Sequence, residues 1–233
     1  GCHHVEGEGG LIQKYIEGKA FYPPPLELGN YHVGERIKGS WLFSFLKNPT
    51  KVRTWVKARM PTFFLTDKEA RDLTAYFEAL SPAEIPYEAG INTQKAKDKI
   101  EIGVKAVNYM DCGKCHDDGA KGIDFSVAGE RLRQDWIPKW LKDTRGMIPW
   151  TKMPSHWDKK GEELVVKSKF KELTTIGPVD SQVEAITDFI VSYNTADFDD
   201  SLVLGESGGD DEDEEGDDED EEGDDDEEDD EDE

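Results

Sequence analysis

Apolar residues at Ile100, Val104, Val107 and Met110 recur at helical spacing and predict a helix leading into Cys112. Two more amphipathic segments, Leu73-Thr74-Ala75-Tyr76-Phe77 and Ile186-Thr187-Asp188-Phe189-Ile190, predict a pair of closing helices. Ahead of them, Thr66-Asp67-Lys68-Glu69 and Ser181-Gln182-Val183-Glu184 each fit a capping box, where a hydroxyl and a carboxylate satisfy two backbone N–H groups reciprocally. Residues 81–95, with Pro82, Pro86, Gly90 and Asn92, read as a linker. No run of about 18 apolar residues exists, so the pattern predicts no membrane span. The expectation is a mainly α chain.

The pattern also repeats. Gly34-Glu35-Arg36-Ile37, Trp41 and Phe45-Leu46-Lys47 recur as Gly129-Glu130-Arg131-Leu132, Trp136 and Trp140-Leu141-Lys142, each offset by 95. Trp55-Val56-Lys57-Ala58-Arg59-Met60-Pro61 returns two residues shorter as Trp150-Thr151-Lys152-Met153-Pro154. The closing helices are offset by 113, which also relates Cys2-His3 to Cys115-His116. Chain order is kept throughout, so a duplicated domain is the economical explanation. The expected division is domain 1 over 1–80, a linker over 81–95, domain 2 over 96–196 and a tail over 197–233.

Charge changes the picture only at the end of the chain. Of 53 acidic residues, 23 lie in 206–233, which holds no Lys or Arg, leaving 30 acids against 28 bases in the body. The body is therefore nearly neutral and able to bury a core. The tail repeats Asp-Asp-Glu-Asp-Glu-Glu-Gly at 210–216 and 217–223, and its composition predicts disorder. It is a solubilising, self-repelling tail or an electrostatic tether for a redox partner with a basic docking surface. Nucleic acid and anionic membrane are disfavoured by charge repulsion.

Chemistry enters at Cys112-Gly113-Lys114-Cys115-His116, which fits Cys-x-x-Cys-His, the attachment signature for c-type haem. Two thiols on one turn add to the two porphyrin vinyl groups, and the adjoining His is placed under the iron. Zinc normally takes two more Cys or His at matched spacing, and a dithiol redox pair has no use for the His. Gly1-Cys2-His3 has the form of the last three residues of a second such motif, with its first thiol two residues ahead of Gly1. On this reading the first domain is cut at its haem motif, and the helix preceding it is missing too.

The iron's second axial ligand is expected from Met60 and Met153. They hold matching places in the two copies, each after a basic residue and before a proline. A thioether is a soft ligand, and Met/His ligation raises the potential; core packing is the bland alternative. His32, His156 and Met147 compete but do not hold equivalent positions, and His4 reads as a surface residue. Trp41, Trp55, Trp136 and Trp150 are candidate core aromatics.

Over residues 1–195 these features resemble tandem class I cytochrome c domains. The resemblance implies two small helical domains, each wrapped around one covalently attached haem c. It implies His3 and His116 as proximal ligands, Met60 and Met153 as distal ligands, and thioethers from Cys2, Cys112 and Cys115. It equally implies that Trp41, Trp55, Trp136 and Trp150 line the haem pockets. It further implies that the carbonyl of Pro25, in Phe21-Tyr22-Pro23-Pro24-Pro25-Leu26, orients His3; the second copy has Gly122-Ile123-Asp124-Phe125 there and no matching proline. The implied function is a dihaem electron carrier rather than an enzyme, moving single electrons between redox partner proteins in the periplasm or another extracytoplasmic space. Two alternatives are a dihaem peroxidase-like enzyme with an open iron, and a cytochrome subunit of a membrane oxidase or quinol-oxidising complex held through a segment ahead of Gly1.

Overall fold

A computed structural model describes residues 2–5, 8–18, 23–28, 31–56, 59–81, 97–116 and 121–195. Gly1, most of the expected linker and the acidic tail lie outside the described residues. Helices dominate, joined by two small antiparallel hairpins that the hydrophobic pattern did not predict. Among the described residues, no helix is long and apolar enough to cross a membrane.

The first copy opens with a hairpin of β1 (His4–Val5) and β2 (Glu8–Gly9), followed by a 3-10 turn over Leu11–Tyr15. Helices α1 (Val33–Arg36), α2 (Gly39–Lys47) and α3 (Asp67–Ala79) follow. Leu42 and Leu46, one turn apart on α2, meet Val33, Ile37 and Ala70 in a small core. The expected capping box starts α3: Glu69 N donates to Thr66 Oγ1 at 3.3 Å, and Thr66 N donates to Glu69 Oε2 at 2.8 Å. Lys47, at the end of α2, donates to Leu65 O at 2.9 Å and pairs with Asp67 at 2.8 Å, tying α2 to the start of α3.

The second copy is larger. It runs through α4 (Lys97–Tyr109), α5 (Gly113–His116), α6 (Phe125–Arg131), α7 (Ile137–Lys142) and α8 (Thr144–Met147). Strands β3 (Trp157–Lys160) and β4 (Glu163–Val166) come next, then a 3-10 segment over Ser168–Thr175 and the long α9 (Val179–Ser192). Val104 and Val107 of α4 pack with Val183, Ile186, Phe189 and Ile190 of α9 in the main core. Burying a side chain such as Phe189 fully contributes about 1.5–3 kcal/mol. Close approach depends on two glycines: a Cβ at Gly103 would strike the Ala185 carbonyl, and one at Gly129 the Ile190 carbonyl.

One expectation is corrected here. Ser181 does not cap α9, which begins at Val179 after Pro178 because Gly177 and Pro178 already break the preceding segment. Gln182 instead turns inward, accepting from Trp157 Nε1 at 2.8 Å and donating to Gly177 O at 2.8 Å. The growth in offset already read in the sequence, from 93 at Met60/Met153 to 113 at the closing helices, has a structural cause. Strands β3 and β4 and the 3-10 segment occupy that extra length.

The copies meet across an approximate internal two-fold. Ile37 pairs antiparallel with Leu132, its equivalent 95 residues on. Lys38 N donates to Arg131 O and Arg133 N donates to Arg36 O, both at 2.9 Å. The side chains repeat the exchange: Lys38 Nζ donates to Gly129 O at 2.8 Å, and Arg133 Nε donates to Gly34 O at 2.7 Å. Each half thus contributes the same strip in opposite direction, the definition of an isologous contact.

Candidate haem sites

The second Cys-x-x-Cys-His is built where α4 ends. Asp111, at φ 58°, turns the chain out of α4, a conformation that Asp tolerates better than most residues. Cys115 N and His116 N both donate to Cys112 O, at 3.2 and 3.0 Å, so the three residues share one helical turn. Burial, with Asp111 and Cys115 adding, pushes the Cys112 thiol up to about 12. It is therefore a neutral thiol at ordinary pH, opposite to the depressed pKa of a nucleophilic redox cysteine. Cys2 and Cys115 are exposed and no cysteine is disulfide-bonded.

Both imidazoles are held the same way by different loops. His116 Nδ1 lies 2.7 Å from Ile123 O, and His3 Nδ1 lies 2.8 Å from Pro24 O. A carbonyl only accepts, so each Nδ1 carries the proton and each Nε2 keeps its lone pair, the tautomer a metal requires. The expected donor–acceptor pair in the first copy is thus shifted by one residue. The Pro25 and Leu26 carbonyls face the Arg36 guanidinium instead, at 3.4 and 2.8 Å, which leaves Pro24 for His3. In the second copy the missing proline does not matter, because Gly122 lets the loop pass tightly: a Cβ there would lie 2.8 Å from the His116 ring. His116 also stacks on Phe125 at 5.2 Å.

Cys112 and Met153 pack against the second core, which includes Phe125, so the expected distal sulfur and the motif border the same apolar body. Met153 Sδ accepts from Trp140 Nε1 at 3.1 Å, and Met153 N donates to Thr151 Oγ1 at 3.2 Å. Met60 is half-buried against the first core. Of the competitors, His32 stands just before α1, where its main-chain N–H donates to Glu35 Oε2 at 2.9 Å. Met147 belongs to α8. His156 is buried between the rings of Trp157 and Phe170, and burial, with Lys167, Lys169 and His116 adding, pushes its pKa down to about 4. Among the described residues no three His, Cys, Asp or Glu side chains form a metal cage by themselves.

Around these residues lie one buried donor without an acceptor and three neighbouring guanidiniums. Trp136 stacks on Trp140 at 5.6 Å and is 4 % exposed, yet its buried Nε1 has no partner. Trp41 stacks on Phe45 at 4.8 Å in the matching place. Burial, with Arg53 adding and Glu27 and Glu35 opposing, pushes Arg36 down to about 10, and burial, with Arg53 and Arg36 adding, pushes Arg131 down to about 9. Burial lowers Arg53 as well. Arg131 lies 5.4 Å over the Trp41 ring, and among the described residues none of the three makes an ion pair. Buried polar groups are normally satisfied, so the unpartnered Trp136 indole N–H fits an acceptor such as a cofactor carboxylate, whereas Arg36 already donates to the carbonyls of His32, Pro25 and Leu26. Trp55 is half-buried, and Trp150 is 44 % exposed, which places it at a surface and not in the core.

Sequence reasoning missed the Trp140–Met153 contact, the Ile123 carbonyl and the arginine cluster. The first had a visible sign in Trp140 replacing Phe45 between the copies; a backbone carbonyl gives none. Comparison with protein-family models, with curated proteins and with solved structures finds no match.

Proposed function

We propose that this chain is a dihaem c-type cytochrome of two class I-like domains, passing single electrons between redox partner proteins in an extracytoplasmic compartment. The observation that carries the proposal is the paired treatment of His3 and His116. Two loops of unrelated sequence each pin Nδ1 to a main-chain carbonyl and leave Nε2 free to ligate. A bound haem supplies the one-electron couple of its iron. The protein's part would be to fix it: Cys112 and Cys115 would attach it, His116 and Met153 would supply its axial ligands, and the unpartnered Trp136 Nε1 would be a donor for a carboxylate. Cys2, His3 and Met60 repeat this in the first copy. With both axial positions filled, the sites suit outer-sphere transfer better than substrate chemistry. The acidic tail is a tether for a partner with a basic surface, its attraction fading with salt.

Intact mass and a pyridine haemochrome spectrum test the proposal, on a chain given a Cys and one further residue ahead of Gly1 to complete the first motif. Two haems per chain are expected. One haem would remove the tandem reading, and none would remove haem altogether.

A further inference from the structure

The two copies differ at one informative place on the distal side. Trp140 and Phe45 are equivalent positions, each ring stacked on the tryptophan one turn earlier, at interplanar angles of 17° and 14°. The rings therefore share a setting and differ in chemistry. Trp140 Nε1–H reaches Met153 Sδ at 3.1 Å; Phe45 has no N–H to offer Met60.

A thioether sulfur has two lone pairs. If one goes to iron, the other is free to accept a hydrogen bond, and the indole sits where it can donate. Such a bond draws density from the sulfur, so the sulfur donates less to the iron. The oxidised iron, with the greater demand for that density, loses more by it than the reduced iron. Hydrogen bonds to an axial ligand tune a metal's potential in this way. The setting is rigid at both ends: Ile137 and Leu141 bury α7 in the core, and Thr151 Oγ1 accepts from the Met153 N–H.

We propose that Trp140 is a positioning residue that raises the reduction potential of the second haem site above that of the first, where Phe45 cannot do the same. This rests on the dihaem reading with Met/His ligation. It gives the chain a polarity: one electron shared between the sites resides at equilibrium on the second, leaving the first oxidised, with no bond made or broken and no proton moved.

The test is a spectroelectrochemical titration of the dihaem protein, with the near-infrared Met–Fe(III) band recorded alongside. The wild type is expected to titrate in two unequal steps. Trp140→Phe should lower the upper step, leave the lower one in place and keep the band. Phe45→Trp should raise the lower step, and this second variant keeps the test decisive if the first folds poorly. If the band persists at both sites and neither substitution moves a step, the proposal fails and the dihaem reading stands. If Trp140→Phe moves the lower step, the ordering is overturned. If the wild type lacks the band, Met ligation fails and the proposal with it.

Discussion

Single residues around the second site are held by features that titrate or collide. His156 sits among Trp157 and Phe170 with its pKa pushed down to about 4 from an ordinary 6.5, so the unfolded chain takes up the proton first as pH falls. Stability is then fully present above pH 6.5 and declines by up to about 3 kcal/mol toward pH 4. His156→Phe keeps a ring in the cluster and should flatten that part of the slope, read from urea midpoints between pH 4 and 7. Persistence of the full slope would move its origin to another group. At this scale the sequence was partly legible. Cys112, Cys115, His116, Met60 and Met153 announce themselves by type and spacing. The acceptors at Pro24 and Ile123 do not, because every residue carries a carbonyl and only the loop's path selects one.

Elements were legible where one face is apolar over several turns, as in α3, α4 and α9. The hairpin β3–β4 was missed, although the two-residue loop Gly161–Glu162 between short strands is a turn signal, with Gly161 at φ 66°. Gly103 and Gly129 could not be read either, since their need arises only when α9 arrives. In an open helix Gly→Ala stabilises by roughly 0.5–1 kcal/mol. At Gly103 the sign should reverse, because the added methyl meets the Ala185 carbonyl and the Phe189 Cβ. Gly103→Ala is expected to cost about 1–3 kcal/mol in chemical denaturation, whereas an unchanged or raised midpoint would mean that α4 and α9 can separate without loss.

For the whole molecule, the repeated pattern was legible in the sequence but the way its two strips meet was not. An offset of 95 over this strip says that the pattern recurs, not that its two occurrences join through the strip itself. Arg133 is the most committed side chain there, donating to Gly34 O and Ile37 O and pairing with Glu78 at 3.2 Å. Removing it strands buried acceptors, so Arg133→Met should cost about 3 kcal/mol. The exposed pair Lys68–Asp72 is the control, and Lys68→Ala should fall within about 0.5 kcal/mol of the wild type. Equal effects from the two would argue that the junction contributes no more than surface charge. The internal two-fold has one more consequence. Had the halves been separate chains, the contact through Ile37 and Leu132 would be a dimerisation equilibrium that dilution dissolves. Carried on one chain, each half meets the other at an effective concentration on the order of millimolar, so the spacing between the two halves is set by the gene and not by how much protein the cell makes.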